Sequence, residues 1–218
     1  MILSAETIAV LKNFMTINQS IILYPGNEII SLSATKATHA RAKVEDEFPS
    51  EAPIWDLGKF LGILSLTKEP ADIEFGDTAM IIRQGKSRTK YAYCRPDLVV
   101  SMPPDKTHKL TKSKAQFKLE NEVWQQVKSA MGVMGFEEFA FIGEEGVLSV
   151  QALSTKNESS DTFNIEIGET DLTFKAIFES DKMKLIPGDY DVTIFERAAV
   201  FKGDQVEYTI SLSTKSEI

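Results

Sequence analysis

The side chains able to do chemistry in this chain are few. They are two histidines, His39 and His108, one cysteine, Cys94, and acidic pairs at Glu137-Glu138, Glu144-Glu145 and Asp189-x-Asp191. A histidine works as an acid–base group when its surroundings tune it. His39 stands in an alternating Thr-x-Ala stretch and His108 in a Lys-rich loop, so both read as packed or solvated side chains. Carboxylates hold a metal when several converge. Glu137-Glu138 and Glu144-Glu145 instead flank an apolar strand, Phe139–Ile142, and the two aspartates share one strand face, which is how solvated hairpin edges are built. Gly85-Lys86-Ser87 ends like a phosphate-binding loop. Met80 stands where that motif needs its first glycine, however, and Arg88–Tyr93 reads as strand where it needs helix, so the stretch is a basic hairpin turn. Asn18-Gln19-Ser20 and Asn157-Glu158-Ser159 fit the glycosylation pattern, which matters only in a secreted chain. The expectation is a chain with no catalytic residues, no metal and no cofactor.

The elements that position these residues are mostly strands. A first helix is predicted over Ser4–Thr16, with Ser4 as N-cap, Ile8, Leu11 and Met15 as the apolar stripe, and a small, polar opposite face of Ala5, Ala9, Lys12, Asn13 and Thr16. Strand-like runs follow at Ser20–Tyr24, Glu28–Ser33 and Thr38–Val44. Asp56 caps a second helix through Leu66, buried along Leu57, Phe60, Leu61 and Leu64. Gly58 and Gly62 each cost it about 1 kcal/mol relative to Ala, so packing must hold it. Strands at Asp72–Phe75, Thr78–Gln84 and Arg88–Cys94 close the first half.

Arg95–Lys114, with Pro96, Pro103, Pro104 and four lysines, reads as an extended connector whose Leu98-Val99-Val100 is apolar enough to dock on the surface. The order then repeats. A strand at Ala115–Leu119 leads to a helix at Glu120–Met131 buried along Leu119, Val123, Val127 and Met131. Strands follow at Glu137–Ile142, Gly146–Ser154, Thr162–Ile167 and Asp171–Phe178. A short helix at Glu179–Ile186 precedes strands at Asp189–Phe195, Ala199–Lys202 and Gln205–Ser213. The expected architecture is α+β: two similar domains of antiparallel sheet with two helices each, at 1–95 and 115–218, joined by a connector at 96–114. Their exposed strand edges invite pairing between copies.

Composition bounds the rest. The 218 residues suffice for two domains of about 100 residues, and 43% apolar content excludes disorder. No apolar run approaches the ~20 residues of a spanning helix, and the start lacks the basic residues of a signal peptide. One cysteine fits a reducing cytoplasm. The net charge is −8, yet residues 1–110 balance 13 Lys+Arg against 13 Asp+Glu, while residues 111–218 hold 11 against 19. Such a chain is no ordinary high-affinity nucleic-acid binder; contact with nucleic acid requires a locally positive face on an acidic body.

The chain resembles the DNA polymerase sliding clamps of T-even-type bacteriophages. The resemblance lies in Leu11-Lys12-Asn13-Phe14-x-Thr16-Ile17-Asn18 and, most specifically, in Asp56-Leu57-x-x-Phe60-Leu61-Gly62-Ile63-Leu64-Ser65-Leu66. Met183-Lys184 and Pro187-Gly188-x-Tyr190 add to it, while residues 72–160 match only in the order of elements. It implies the processivity fold: two-domain subunits closing head-to-tail into a homotrimer around duplex DNA, with helices lining the hole and sheets forming the wall. It also implies sequence-independent DNA contact, a clamp-loader ATPase, a tethered DNA polymerase, and residence in the cytoplasm of the infected bacterium. Lysines opposite the apolar stripes, Lys12, Lys59 and Lys128, with Lys182 and Lys184 in the last short helix, are then the DNA-facing candidates. Partner peptides would dock beside the connector, at Leu98, Val99 and Val100 with Tyr208, Ile210 or Leu212. The competing expectations are an α+β scaffold or virion structural protein that self-assembles without encircling DNA, and a metal-dependent enzyme built on the acidic pairs.

Overall fold

The computed structural model describes residues 1–106, 110–156 and 161–218. His108 and the Asn157-Glu158-Ser159 stretch lie outside the described residues. Two compact units, Met1–Thr107 and His108–Ile218, divide the chain.

In the first unit, α1 (Ala5–Met15) begins where the Ser4 hydroxyl accepts the Thr7 N–H at 3.0 Å. Its buried stripe is Thr7, Val10, Leu11 and Phe14, with Ile8 and Met15 on the flanks. Both sets satisfy the helical period; the one holding Phe14 buries the larger apolar area. The outward face is Ala5, Ala9, Lys12 and Thr16, as the pattern requires. Next, β1 (Ile21–Leu23) pairs with β4 (Ala52–Ile54), and β2 (Gly26–Leu32) with β3 (Thr38–Phe48). His39 is buried in β3. The second helix, α2 (Leu57–Leu64), is shorter than expected and buries Leu57, Phe60 and Leu61. A meander of β5 (Asp72–Phe75), β6 (Ala79–Gln84) and β7 (Ser87–Ala92) completes the unit. Gln84 faces Ser87 across a two-residue turn in which Gly85 takes φ +57°, so Gly85-Lys86 is a hairpin and not an anion loop.

The second unit begins with β8 (Ala115–Leu119) and α3 (Asn121–Met134). Its buried stripe is Trp124, Val127 and Met131, with Trp124 taking the place expected of Val123, and Gly135 ends it in the left-handed region at φ +69°. One antiparallel sheet runs in the order β11 (Phe163–Glu169), β10 (Val147–Leu153), β9 (Glu138–Glu144), β12 (Phe174–Glu179). A second run joins β8 to β13 (Tyr190–Ile194), β14 (Ala198–Lys202) and β15 (Val206–Ser211). Aromatic rings weld the interior: Trp124 lies 5.0 Å from Phe139, Phe139 stacks on Phe178 at 5.2 Å, and Phe178 meets Phe201 at 5.7 Å.

The short helix expected at Glu179–Ile186 is a single 3-10 turn, Ser180–Lys182. Met183 and Leu185 are buried while Lys184 and Ile186 are half-buried, an alternation of period two that suits extended backbone. The architecture is α+β as expected, with two α-helices among the described residues of the first unit and one among those of the second, not two in each.

Candidate functional site

Helix surfaces carry the cationic candidates. Lys12 and Lys59 are exposed on α1 and α2, beside the small residues Ala5, Ala9 and Gly62. A Cβ added at Gly58 would lie 3.3 Å from the Met15 sulfur, so the two helices approach closely and hold both lysines on one scaffold. The Asp56 carboxylate caps α2 by accepting the Lys59 N–H at 2.7 Å. On β3, the Asp46 carboxylate accepts the Ser4 N–H at 2.8 Å and so fixes the start of α1. Lys128 is exposed on α3, its ammonium 5.7 Å from the Trp124 ring centroid, and desolvation there lowers its pKa. Lys182 and Lys184 are half-buried, and Lys182 pairs with Glu179 at 2.9 Å.

The acidic pairs serve structure. Asp189 accepts the Asn121 N–H at 2.9 Å at the head of α3 and pairs with Lys118 at 3.0 Å; these contacts, the backbone one foremost, lower its pKa. Glu138 accepts the Thr155 N–H at 3.0 Å and its hydroxyl, with Lys215 nearby at 3.6 Å. Glu145, at φ +51°, turns the β9–β10 hairpin with Gly146. Among the described residues no three His, Cys, Asp or Glu side chains gather as a metal site.

The connector candidates differ in exposure. Val99 is buried, at 8% exposure, whereas its neighbours Leu98 (53%) and Val100 (36%) are exposed. Three side chains hold the segment that follows. Asn18 Nδ2 donates to the Val100 carbonyl at 3.4 Å, the Tyr24 and Ser101 hydroxyls meet at 3.1 Å, and Arg41 Nη2 donates to the carbonyls of Pro104 at 3.1 Å and Lys106 at 2.9 Å. In the second unit Tyr208 and Ile210 are wholly buried in β15. Burial pushes the Tyr208 hydroxyl above its usual range and that of Tyr190 up to about 12, so both stay protonated. Leu212 lies at the rim of a surface hollow with Glu196, Arg197, Ser213, Thr214 and Ile218.

Sheet edges supply further candidates that no chemical residue type marks. Each unit has one edge closed by its own chain. Met1 and Ile2 lie along β5, where Ile73 donates its N–H to the Met1 carbonyl at 2.7 Å. Residues 213–217 lie along β12, where Lys175 and Glu217 exchange backbone bonds at 2.7 and 2.9 Å. Among the described residues β7 and β11, like β2 and β8, keep a strand partner on one side only. On the outward face of β7 stand Arg88 and Lys90; on β11 the exposed positions are Asn164, Glu166, Gly168 and Glu169. Beneath β11, Phe163 shares an apolar hollow with Val133 and Met134 of α3, and Val133 is 88% exposed. The alternation Arg88-x-Lys90 was the available sequence signal.

Two family descriptions match the chain: "DNA polymerase processivity factor" over residues 4–99 and "gp45 sliding clamp, C terminal" over residues 116–214. The sliding clamp of Vibrio phage KVP40 is 31% identical over 96% of this chain and 97% of its own. That of Enterobacteria phage T4 is 29% identical over 98% and 97%. Among solved structures, A. fulgidus PCNA bound to the C-terminal region of FEN-1 superposes with a TM-score of 0.67 at 14% identity, covering 96% of both chains. PCNA from Thermococcus kodakaraensis gives 0.68 at 12%, covering 95% and 96%.

Proposed function

The chain belongs to the phage sliding-clamp family of non-catalytic DNA polymerase processivity factors, and from that premise we propose that three copies close into a ring around duplex DNA and tether the replicative polymerase. The observation that carries this is the pair of open, oppositely charged sheet edges. Joining β7 of one copy to β11 of the next continues both sheets and sets Arg88 and Lys90 beside Glu166 and Glu169. It also covers the apolar hollow at Val133 and Phe163. Pairing β7 with β7, or β11 with β11, sets like charges together, so contact is head-to-tail; such contacts close into a ring or run on as a filament.

Within the ring, Lys12, Lys59, Lys128, Lys182 and Lys184 attract phosphates weakly. The small residues around Lys12 and Lys59 carry no side chains that read base edges, so the protein slides. The acidic excess limits adhesion elsewhere. A loader ATPase opens the ring on DNA in the host cytoplasm. The polymerase's apolar tail docks at Leu98 and Val100, with Val99 anchoring the connector.

Light scattering should give about 73 kDa, three times 24.3 kDa. Protein loaded on closed circular DNA by loader and ATP should stay until the circle is cut. A strict monomer or two-fold dimer at micromolar concentration removes the ring. Equal loss from intact and cut circles leaves a self-assembling scaffold that does not encircle DNA.

A further inference from the structure

Arg41 stands on β3 with its side chain 22% exposed, and its guanidinium divides its donors in two directions. Nη1 faces Glu28 Oε2 of β2 at 3.3 Å, while Nη2 reaches the carbonyls of Pro104 and Lys106. The planar fork suits this: one nitrogen is oriented by a carboxylate and another spans two backbone acceptors, which a lysine ammonium on a flexible stem does less well. The two carbonyls lie 63 and 65 residues along the chain from Arg41. Between them and Val99 the connector is otherwise held by the long Asn18 bond and the Tyr24–Ser101 pair. Pro103 and Pro104 donate no N–H, so this stretch cannot be secured by ordinary strand pairing.

We infer that Arg41 is a positioning residue: it pins the connector to the β2–β3 hairpin and thereby fixes Leu98 and Val100 as a preformed edge for partner peptides. The inference rests on the proposal that the polymerase tail docks there. A preformed edge spares the incoming peptide the entropy of ordering the connector, so loss of the pin appears as weaker binding without loss of any contact to the peptide.

The test compares the parent with Arg41→Met, which keeps the stem and removes every donor, and with Arg41→Lys, which keeps the charge. Amide exchange across residues 97–106 should rise at least tenfold in Arg41→Met, with the exchange of α1 and β6 unchanged and the oligomer mass retained. A synthetic C-terminal peptide of the cognate polymerase should bind several-fold more weakly, and Arg41→Lys should recover part of both effects. Unchanged connector exchange in Arg41→Met overturns the pin, and if Arg41→Met does not fold, parental exchange in Arg41→Lys does the same. Faster exchange with undiminished peptide affinity overturns the positioning role. A parent that binds no peptide overturns the docking proposal instead, while the exchange arm still decides the pin.

Discussion

The Asp46 carboxylate on β3 holds the Ser4 N–H at 2.8 Å, and Ser4 in turn caps the helix that carries Lys12. Burial alone would raise this carboxyl, but hydrogen bonds from Thr7 and Ser4 outweigh it and bring its pKa below the ordinary 3.8. A carboxyl depressed in the folded state adds stability that is complete above its unfolded value and is lost as pH falls through its folded value. Asp46→Asn should therefore cost about 1–2 kcal/mol at pH 7. The gap to the parent should narrow at pH values well below 3.8. Urea unfolding at neutral and acid pH measures both; a gap independent of pH would trace the cost to packing and not to charge.

The proposed seam makes a demand on charge. Reversing Arg88 and Lys90 to Glu should drive the assembly toward the 24.3 kDa monomer, because Glu166 and Glu169 would then face like charges. Reversing Glu166 and Glu169 to Lys should do the same. Combining all four in one chain should restore the parental mass by sedimentation. Failure of the combined variant to reassemble, with each unit still folded by circular dichroism, would locate the seam elsewhere.

Exposure sorts the connector residues into two roles. Leu98→Asp alters a side chain that is 53% exposed and should weaken binding of the polymerase tail peptide at least tenfold while leaving thermal stability within a degree or two. Val99→Asp places a charge where exposure is 8% and should instead lower stability and loosen the connector. Calorimetric titration beside a melting curve separates them; equal effects on both readouts would mean that Leu98 also packs.

Local chemistry was legible in the sequence. Ser4 and Asp56 cap the helices they were expected to cap, since a cap needs only its own side chain and the next turn. Glu179–Ile186 departs from the expected helix because Met183 and Leu185 are buried at a spacing of two, which an eight-residue window does not separate from a helix. Trp124 is buried in place of Val123, its neighbour in the chain, because the Phe139 ring that selects it lies on another element. Contacts such as Arg41 to Lys106 have no periodic signature. The helical period identifies the outward faces of Lys12 and Lys59, but not what those faces meet.

What they meet can be measured. If the proposed ring sets five lysines from each of three copies around the duplex, it should engage only a few phosphates at a time, each adding up to ~0.9 to the log–log salt slope. Affinity for linear DNA should accordingly be weak and steeply salt-dependent, while retention on a closed circle, which depends on topology, should persist through moderate salt. Lys12→Glu with Lys128→Glu should flatten the salt slope and cut loader-dependent loading and processive synthesis several-fold. Neither lysine lies on a proposed edge strand or on the connector, so trimer mass and peptide affinity should stay at parental values. Lys128 leans on Trp124, so Lys128→Gln, which keeps much of the stem and drops the charge, guards against a packing loss. If both variants load and sustain synthesis as the parent does, these lysines do not face DNA and the positive lining must come from other residues.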